Sequence, residues 1–115
     1  MIMVKKEDLV VEINEKNFSK HVIEQSKKIP VVVDFFAIWC MPCSMLGPVL
    51  EKLAGEYKGK FILAKVNIDK YEKLAEKFNV MSIPAVKLFK NGKIVSEFTG
   101  AIPESKIKDW LDSQL

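Results

Sequence analysis

The chain has 115 residues, 49 % of them hydrophobic and 29 % charged, with a formal net charge of +3. That length fits one globular unit with its own core. The small charge excess comes from scattered Lys with no Arg, which excludes a nucleic-acid footprint and weakens any case for bidentate phosphate recognition.

In chain order, Leu9 to Ile13 alternates enough for a short strand. Asn14 is placed to cap a helix carrying Phe18, Val22 and Ile23. Val31 to Phe36 reads as a buried strand, apolar throughout except at Asp34, as parallel strands are. A helix follows from about Pro42 to Tyr57, with Met45, Leu46, Val49, Leu50 and Leu53 turned inward and a kink expected at Pro48. Phe61 to Ile68 is a third strand. Tyr71, Leu74, Ala75 and Phe78 carry helical spacing. Ala85 to Lys90 and Lys93 to Thr99 flank Asn91-Gly92, a strong hairpin signal. Pro103 opens a last helix with Ile107, Trp110 and Leu111 on one face. The order is βαβαβαββα, with the first three strands expected to be parallel. No linker or repeat interrupts it, so residues 1–115 are expected to form a single domain. No stretch is long enough to span a membrane. Met1-Ile2-Met3-Val4 runs at once into Lys5, Lys6, Glu7 and Asp8, too short for a signal-peptide core. Neither a membrane partner nor export is expected.

The only two cysteines are Cys40 and Cys43, in Trp39-Cys40-Met41-Pro42-Cys43. Residues three apart at a helix start face the same way, at a Cα separation of about 5–6 Å that suits a disulfide. So short a loop gains little stability from closure. The bond therefore makes more sense as one that is made and broken, and a CxxC between a buried strand and a helix is a redox arrangement. Cys40, just before the helix, meets unpaired N–H groups and the positive end of the macrodipole, which favour a thiolate. Pro42 suits the first turn. An exposed attacking Cys40 and a sheltered resolving Cys43 are expected. A structural zinc site needs four ligands, and His21 is the only other soft candidate, so no metal is expected. A c-type haem would need His where Ser44 stands. A permanent structural disulfide is the remaining plain alternative. Two cysteines without an export signal point to the cytoplasm.

Asp34 is costly to bury charged. Desolvation should raise its pKa and make it a proton acceptor or donor near neutrality, close to Cys43; the plain alternative is an Asp at a pleat edge, facing water. Lys65, in another apolar strand, could share charge with Asp34 across the sheet, or simply snorkel. From sequence alone, Ile83-Pro84 would be trans.

The stretches VVVDFFAIWCMPC at 31–43, KVNID at 65–69, SIPAVKLFKNG at 82–92 and FTGA at 98–101 resemble the thioredoxin family, in that family's order, over essentially residues 9–115. The resemblance implies an α/β thioredoxin fold, a five-stranded mixed sheet flanked by four α-helices. It implies an acid at Asp34 and a cis Ile83-Pro84 peptide facing the cysteines. It also implies an apolar substrate-binding patch from Trp39, Met41, Pro42, Ile83, Pro84, Gly100 and Ala101, with Ile102 beside it. The activity implied is reduction of protein disulfides by reversible Cys40–Cys43 disulfide formation, as an electron carrier in cell redox homeostasis. Its partners would be disulfide-containing proteins and a flavin- or ferredoxin-linked thioredoxin reductase. No cofactor beyond the disulfide and a monomeric, cytoplasmic protein are expected. The chain departs from the family's commonest pattern at Met41 (usually Gly), Ser82 (Gly), Ala85 (Thr) and Phe36 (often Trp). Met41 leaves the redox potential open, and a more oxidising role or a binding scaffold without turnover are the alternatives.

Overall fold

The computed structural model describes residues 6–115; the reading of residues 1–5 lies outside the described residues. Five strands form one mixed sheet: β1 (Val10–Ile13), β2 (Val31–Phe36), β3 (Ile62–Asn67), β4 (Ala85–Lys90) and β5 (Lys93–Thr99), in the order β1-β3-β2-β4-β5. β1 and β2 run parallel to β3, β4 antiparallel to β2, and β5 antiparallel to β4. The expected sheet is therefore present, with β2 near its centre and apolar on both faces.

Strand alternation divides β2 between two cores. Val31, Val33 and Phe35 face one side, where Phe35, Phe18, Phe78 and Phe89 form a chain of rings with centroids 5.2–6.2 Å apart. Such tilted and edge-to-face pairs add to the burial of the rings. Val32, Asp34 and Phe36 face the other side. That side is covered by α2 (Met41–Glu56) and α4 (Glu104–Gln114). Leu46, Leu50, Leu53, Ile107 and Leu111 are buried there, and Trp110 packs edge-on to Phe98 at 5.0 Å. The two helices are tied at the surface by Lys52–Glu104 (3.1 Å) and by Tyr57 donating to Asp112 (2.7 Å).

The hairpin boundaries fall where the sequence puts them. Asn91 (φ 51°) and Gly92 (φ 80°) both sit in the left-handed region that a tight hairpin turn requires. Four α-helices are present, though they are not the four read from the sequence. A short α1 (Lys6–Leu9) precedes β1, so Leu9 ends a helix rather than starting a strand. The segment after β1 is a π-helical turn (Ser19–Glu24) followed by a 3₁₀ turn (Gln25–Lys27). Asn14 caps this segment, as expected. Its Oδ1 accepts from the N–H groups of Lys16 and Asn17, and Asn17 Oδ1 accepts from Asn14 N–H, all at 2.8 Å. This reciprocal exchange is a capping arrangement, and Phe18 N–H donating to the Asn14 carbonyl at 3.2 Å opens the helical segment. α3 spans Glu72–Lys77. In α2, Met45 points outward, against expectation, while Leu46 takes the buried position.

Candidate active site

β2 ends at Phe36, and the chain enters α2 through residues 37–40. This is the carboxyl end of the parallel strands, where open α/β sheets leave a crevice. Cys40 is the N-cap of α2, with extended backbone (φ −86°, ψ 109°), and Pro42 lies in the first turn. The Cys40–Cys43 disulfide is formed, with Cα atoms 5.2 Å apart. Cys40 Sγ also accepts the backbone N–H of Cys43 at 3.3 Å. The helix thus directs an unpaired N–H at the first sulfur, an arrangement that favours negative charge there.

The expected contrast in burial is not seen. Cys40 and Cys43 are each 5 % exposed. In the disulfide state both sulfurs belong to one small apolar cluster with Ala37, against which Phe36, Ile68 and Ile83 pack. Whatever asymmetry the pair has comes from the helix end and not from exposure.

Asp34 is 1 % exposed, which excludes the solvent-facing alternative. Burial pushes its carboxyl up from an ordinary 3.8 to about 6; Lys65 pulls the other way and Glu51 adds to the rise. Its Oδ1 has no hydrogen-bond partner. Lys65 is its register neighbour across β2 and β3. The expected charge sharing takes another form, however. Lys65 Nζ pairs with Glu51 Oε2 at 3.6 Å and lies 5.1 Å from the Phe36 ring centre. Its side chain is one-fifth exposed, so it reaches the surface as well. A cleft of about 350 Å³ opens here, lined by Cys43, Ser44, Gly47, Glu51 and Lys65 among others. A larger cavity, about 480 Å³, lies elsewhere, against His21, Lys58 and Ile62, and includes none of the expected site residues.

Ile83-Pro84 is cis. Ile83 is half-buried against the cysteine cluster, and Pro84 is buried with its carbonyl accepting from Gly100 N–H at 2.8 Å. That bond brings Gly100 (φ 84°) and exposed Ala101 beside the Pro84 loop. Trp39 and Met41 are more than two-thirds exposed. Ile38, Met45 and Met81, absent from the expected patch, are equally bare. Trp39 is held despite its exposure: its indole Nε1 donates to Asp69 Oδ2 at 2.8 Å, and Asp69 N–H donates in turn to Asn67 Oδ1 at 3.0 Å. Sequence reasoning missed Glu51 and Asp69. The signal for Glu51 was its place two turns after Cys43 and one after Gly47. Asp69 had none beyond the KVNID likeness. No cluster of three or more His, Cys, Asp or Glu suited to a metal occurs among the described residues.

The thioredoxin family model matches residues 9–113. The chain is 41 % identical over 104 residues to a thioredoxin of Chlorobaculum thiosulfatiphilum, covering 90 % of this chain and 94 % of that one. It is 42 % identical over 106 residues to a thioredoxin of Buchnera aphidicola subsp. Baizongia pistaciae, covering 92 % and 95 %. A chloroplastic M-type thioredoxin of Spinacia oleracea is 39 % identical over 92 % of this chain and 58 % of its own length.

Proposed function

Because the chain belongs to the thioredoxin family and is a dithiol–disulfide oxidoreductase working through Cys40 and Cys43, we propose that it acts as a reductant of protein disulfides, regenerated by a thioredoxin reductase. The observation that carries this reading is Cys40 at the N-cap of α2, its sulfur accepting the Cys43 N–H. A thiolate formed there keeps that donor and the helix dipole.

In the reduced protein, the Cys40 thiolate attacks one sulfur of a substrate disulfide. A mixed disulfide forms and the other substrate sulfur leaves as a thiolate. Cys43 then loses its proton to Asp34, directly or through a water in the adjoining cleft, and attacks Cys40 Sγ. The second substrate thiolate leaves, so the substrate gains two electrons and the enzyme holds the Cys40–Cys43 disulfide. Asp34 suits this task because a carboxyl near 6 takes a proton near neutrality and gives it up again. Lys65 sets the charge around Asp34. The electrons travel on the disulfide itself, with no further cofactor.

Trp39, Met41, Pro42, Ile83, Pro84, Gly100 and Ala101 form the docking rim for an extended protein segment. Exposed apolar side chains beside the disulfide support this, since such patches mark interaction sites. The protein works as a monomer and a single domain in a reducing compartment, the cytoplasm. No described helix is long and apolar enough to cross a membrane.

The test is trapping. Cys43→Ser should accumulate mixed disulfides with substrate proteins on Cys40, and Cys40→Ser should capture none. Adducts carried mainly by Cys43 in mass spectra would reverse the roles. No turnover of insulin with dithiothreitol would favour a binding scaffold instead.

A further inference from the structure

The register of β2 and β3 sets Lys65 opposite Asp34 on one face of the sheet. An ion pair between them is what that register offers, and it is not made. Lys65 Nζ sits instead 3.6 Å from Glu51 Oε2 and against the Phe36 ring, while Asp34 Oδ1 stays without a partner. Glu51 reaches this spot from α2, one turn beyond Gly47. Gly47 is buried, and a Cβ there would stand 3.5 Å from Lys65 Nζ. The ammonium thus packs close against the α2 backbone at Gly47. The charged groups facing Asp34 are Lys65 from β3 and Glu51 from α2, and both of these line one cleft with Cys43. β4 presents only Val86 opposite Asp34.

We propose that Glu51 is a positioning residue for the exchange reaction: by holding the Lys65 ammonium at the cleft mouth, it keeps Asp34 unpaired and therefore basic enough to take the Cys43 proton. This rests on the reading of Asp34 as that proton's acceptor. The physical reason is direct. A carboxylate paired with an ammonium is stabilised in its charged form and becomes a weaker base. Removing the Glu51 charge acts twice in one direction. It deletes a negative neighbour of Asp34, and it frees Lys65 to swing onto the orphaned Oδ1. The second effect is what makes Glu51 a positioning residue and not just a distant charge.

The experiment follows the Asp34 carboxyl carbon by NMR in the oxidised protein, where neither sulfur titrates. Glu51→Gln should lower its pKa by roughly half a unit or more, and Lys65→Met should raise it. In a Lys65→Met background, Glu51→Gln should move the titration by less than half as much, because its route through Lys65 is gone. In the reduced enzyme, Glu51→Gln should slow release of a mixed disulfide held on Cys40 about two- to fivefold at pH 7 and shift the acid limb of the rate profile downward. An Asp34 titration unmoved or raised by Glu51→Gln overturns the proposal and leaves the role of Asp34 standing. An equal fall with and without Lys65 overturns it too, leaving only a direct field. A titration that moves with an unchanged release rate overturns both the role of Asp34 and this catalytic use of Glu51.

Discussion

Asp34→Asn should stabilise the oxidised protein at neutral pH and flatten its stability in mild acid. Unfolded, this carboxyl releases its proton near 3.8; folded, burial holds the proton up to about 6. Between these values the native state binds more protons than the unfolded one, so stability falls as pH rises. The contribution of Asp34 is whole below pH 3.8 and lost above about 6. Each pKa unit is worth 1.36 kcal/mol, so the difference of roughly two units amounts to about 3 kcal/mol. The side chain is 1 % exposed, so solvent screening takes little from that figure. It is a large fraction of the 5–15 kcal/mol typical of a domain. Asparagine keeps the shape but cannot ionise. Its amide is also poorly partnered, which adds an offset that does not vary with pH. The measurement is therefore a difference of slopes: urea denaturation of oxidised parent and variant from pH 3.5 to 8. The parent should lose about 3 kcal/mol relative to the variant across pH 4–6.5, then run parallel to it. Profiles that stay parallel throughout would show that Asp34 ionises as freely in the fold as outside it, and would remove the ground for its role as a proton acceptor.

Met41→Gly should shift the redox potential by about 30 mV, corresponding to ~1.4 kcal/mol for this two-electron couple, without unfolding the protein; Met41 is 72 % exposed and stands between the sulfurs, so it weighs on the dithiol and disulfide states without supporting the core. Equal potentials in a glutathione titration would make it a bystander. Asp69→Ala should release the Trp39 ring, raising KM for protein disulfides several-fold while leaving the thermal midpoint within a few degrees, because the hydrogen bond lies at the surface. A changed midpoint with an unchanged KM would assign the bond to stability instead.

The parts of the fold legible in the sequence were those where one local rule acts alone. Asn91-Gly92 fixes both hairpin boundaries because only a few residues tolerate two successive positive φ angles. β2 is legible because a strand buried on both faces is a nearly continuous apolar run, against which Asp34 stands out. In the segment after β1 the Asn14 cap is legible, but the winding is not: the apolar spacing of Phe18, Val22 and Ile23 suits an α-helix, whereas the chain forms a π-helical turn and then a 3₁₀ turn. Met45 was turned inward by the same logic of spacing. With Met41 one turn before it, it forms a bare methionine stripe on α2, which breaks the rule that apolar means buried. At the site, the cysteines, Asp34 and Trp39 were legible as residue types in unusual places. Their partners were not. Asp69 lies 30 residues from Trp39, and Glu51 looked like one more solvated helix carboxylate until β3 brought Lys65 to it.

Asp34, Lys65 and Glu51 together bear on why the expensive arrangement is kept. A sequence selected for stability alone would place Val at 34, as at 31, 32 and 33, or let Lys65 pair with the carboxylate its register already faces. Either change would remove most of the neutral-pH penalty worked out above. Both would also take away a carboxyl raised to about 6, the property on which the proposed role of Asp34 as proton acceptor rests. An apolar residue has none, and an ion-paired carboxylate titrates too low. Diverting the ammonium to Glu51 keeps a countercharge near enough to hold the pKa close to 6, and far enough to prevent a full ion pair. The cost in stability and the proposed use in proton transfer thus come from one and the same rise in the Asp34 pKa, from 3.8 to about 6.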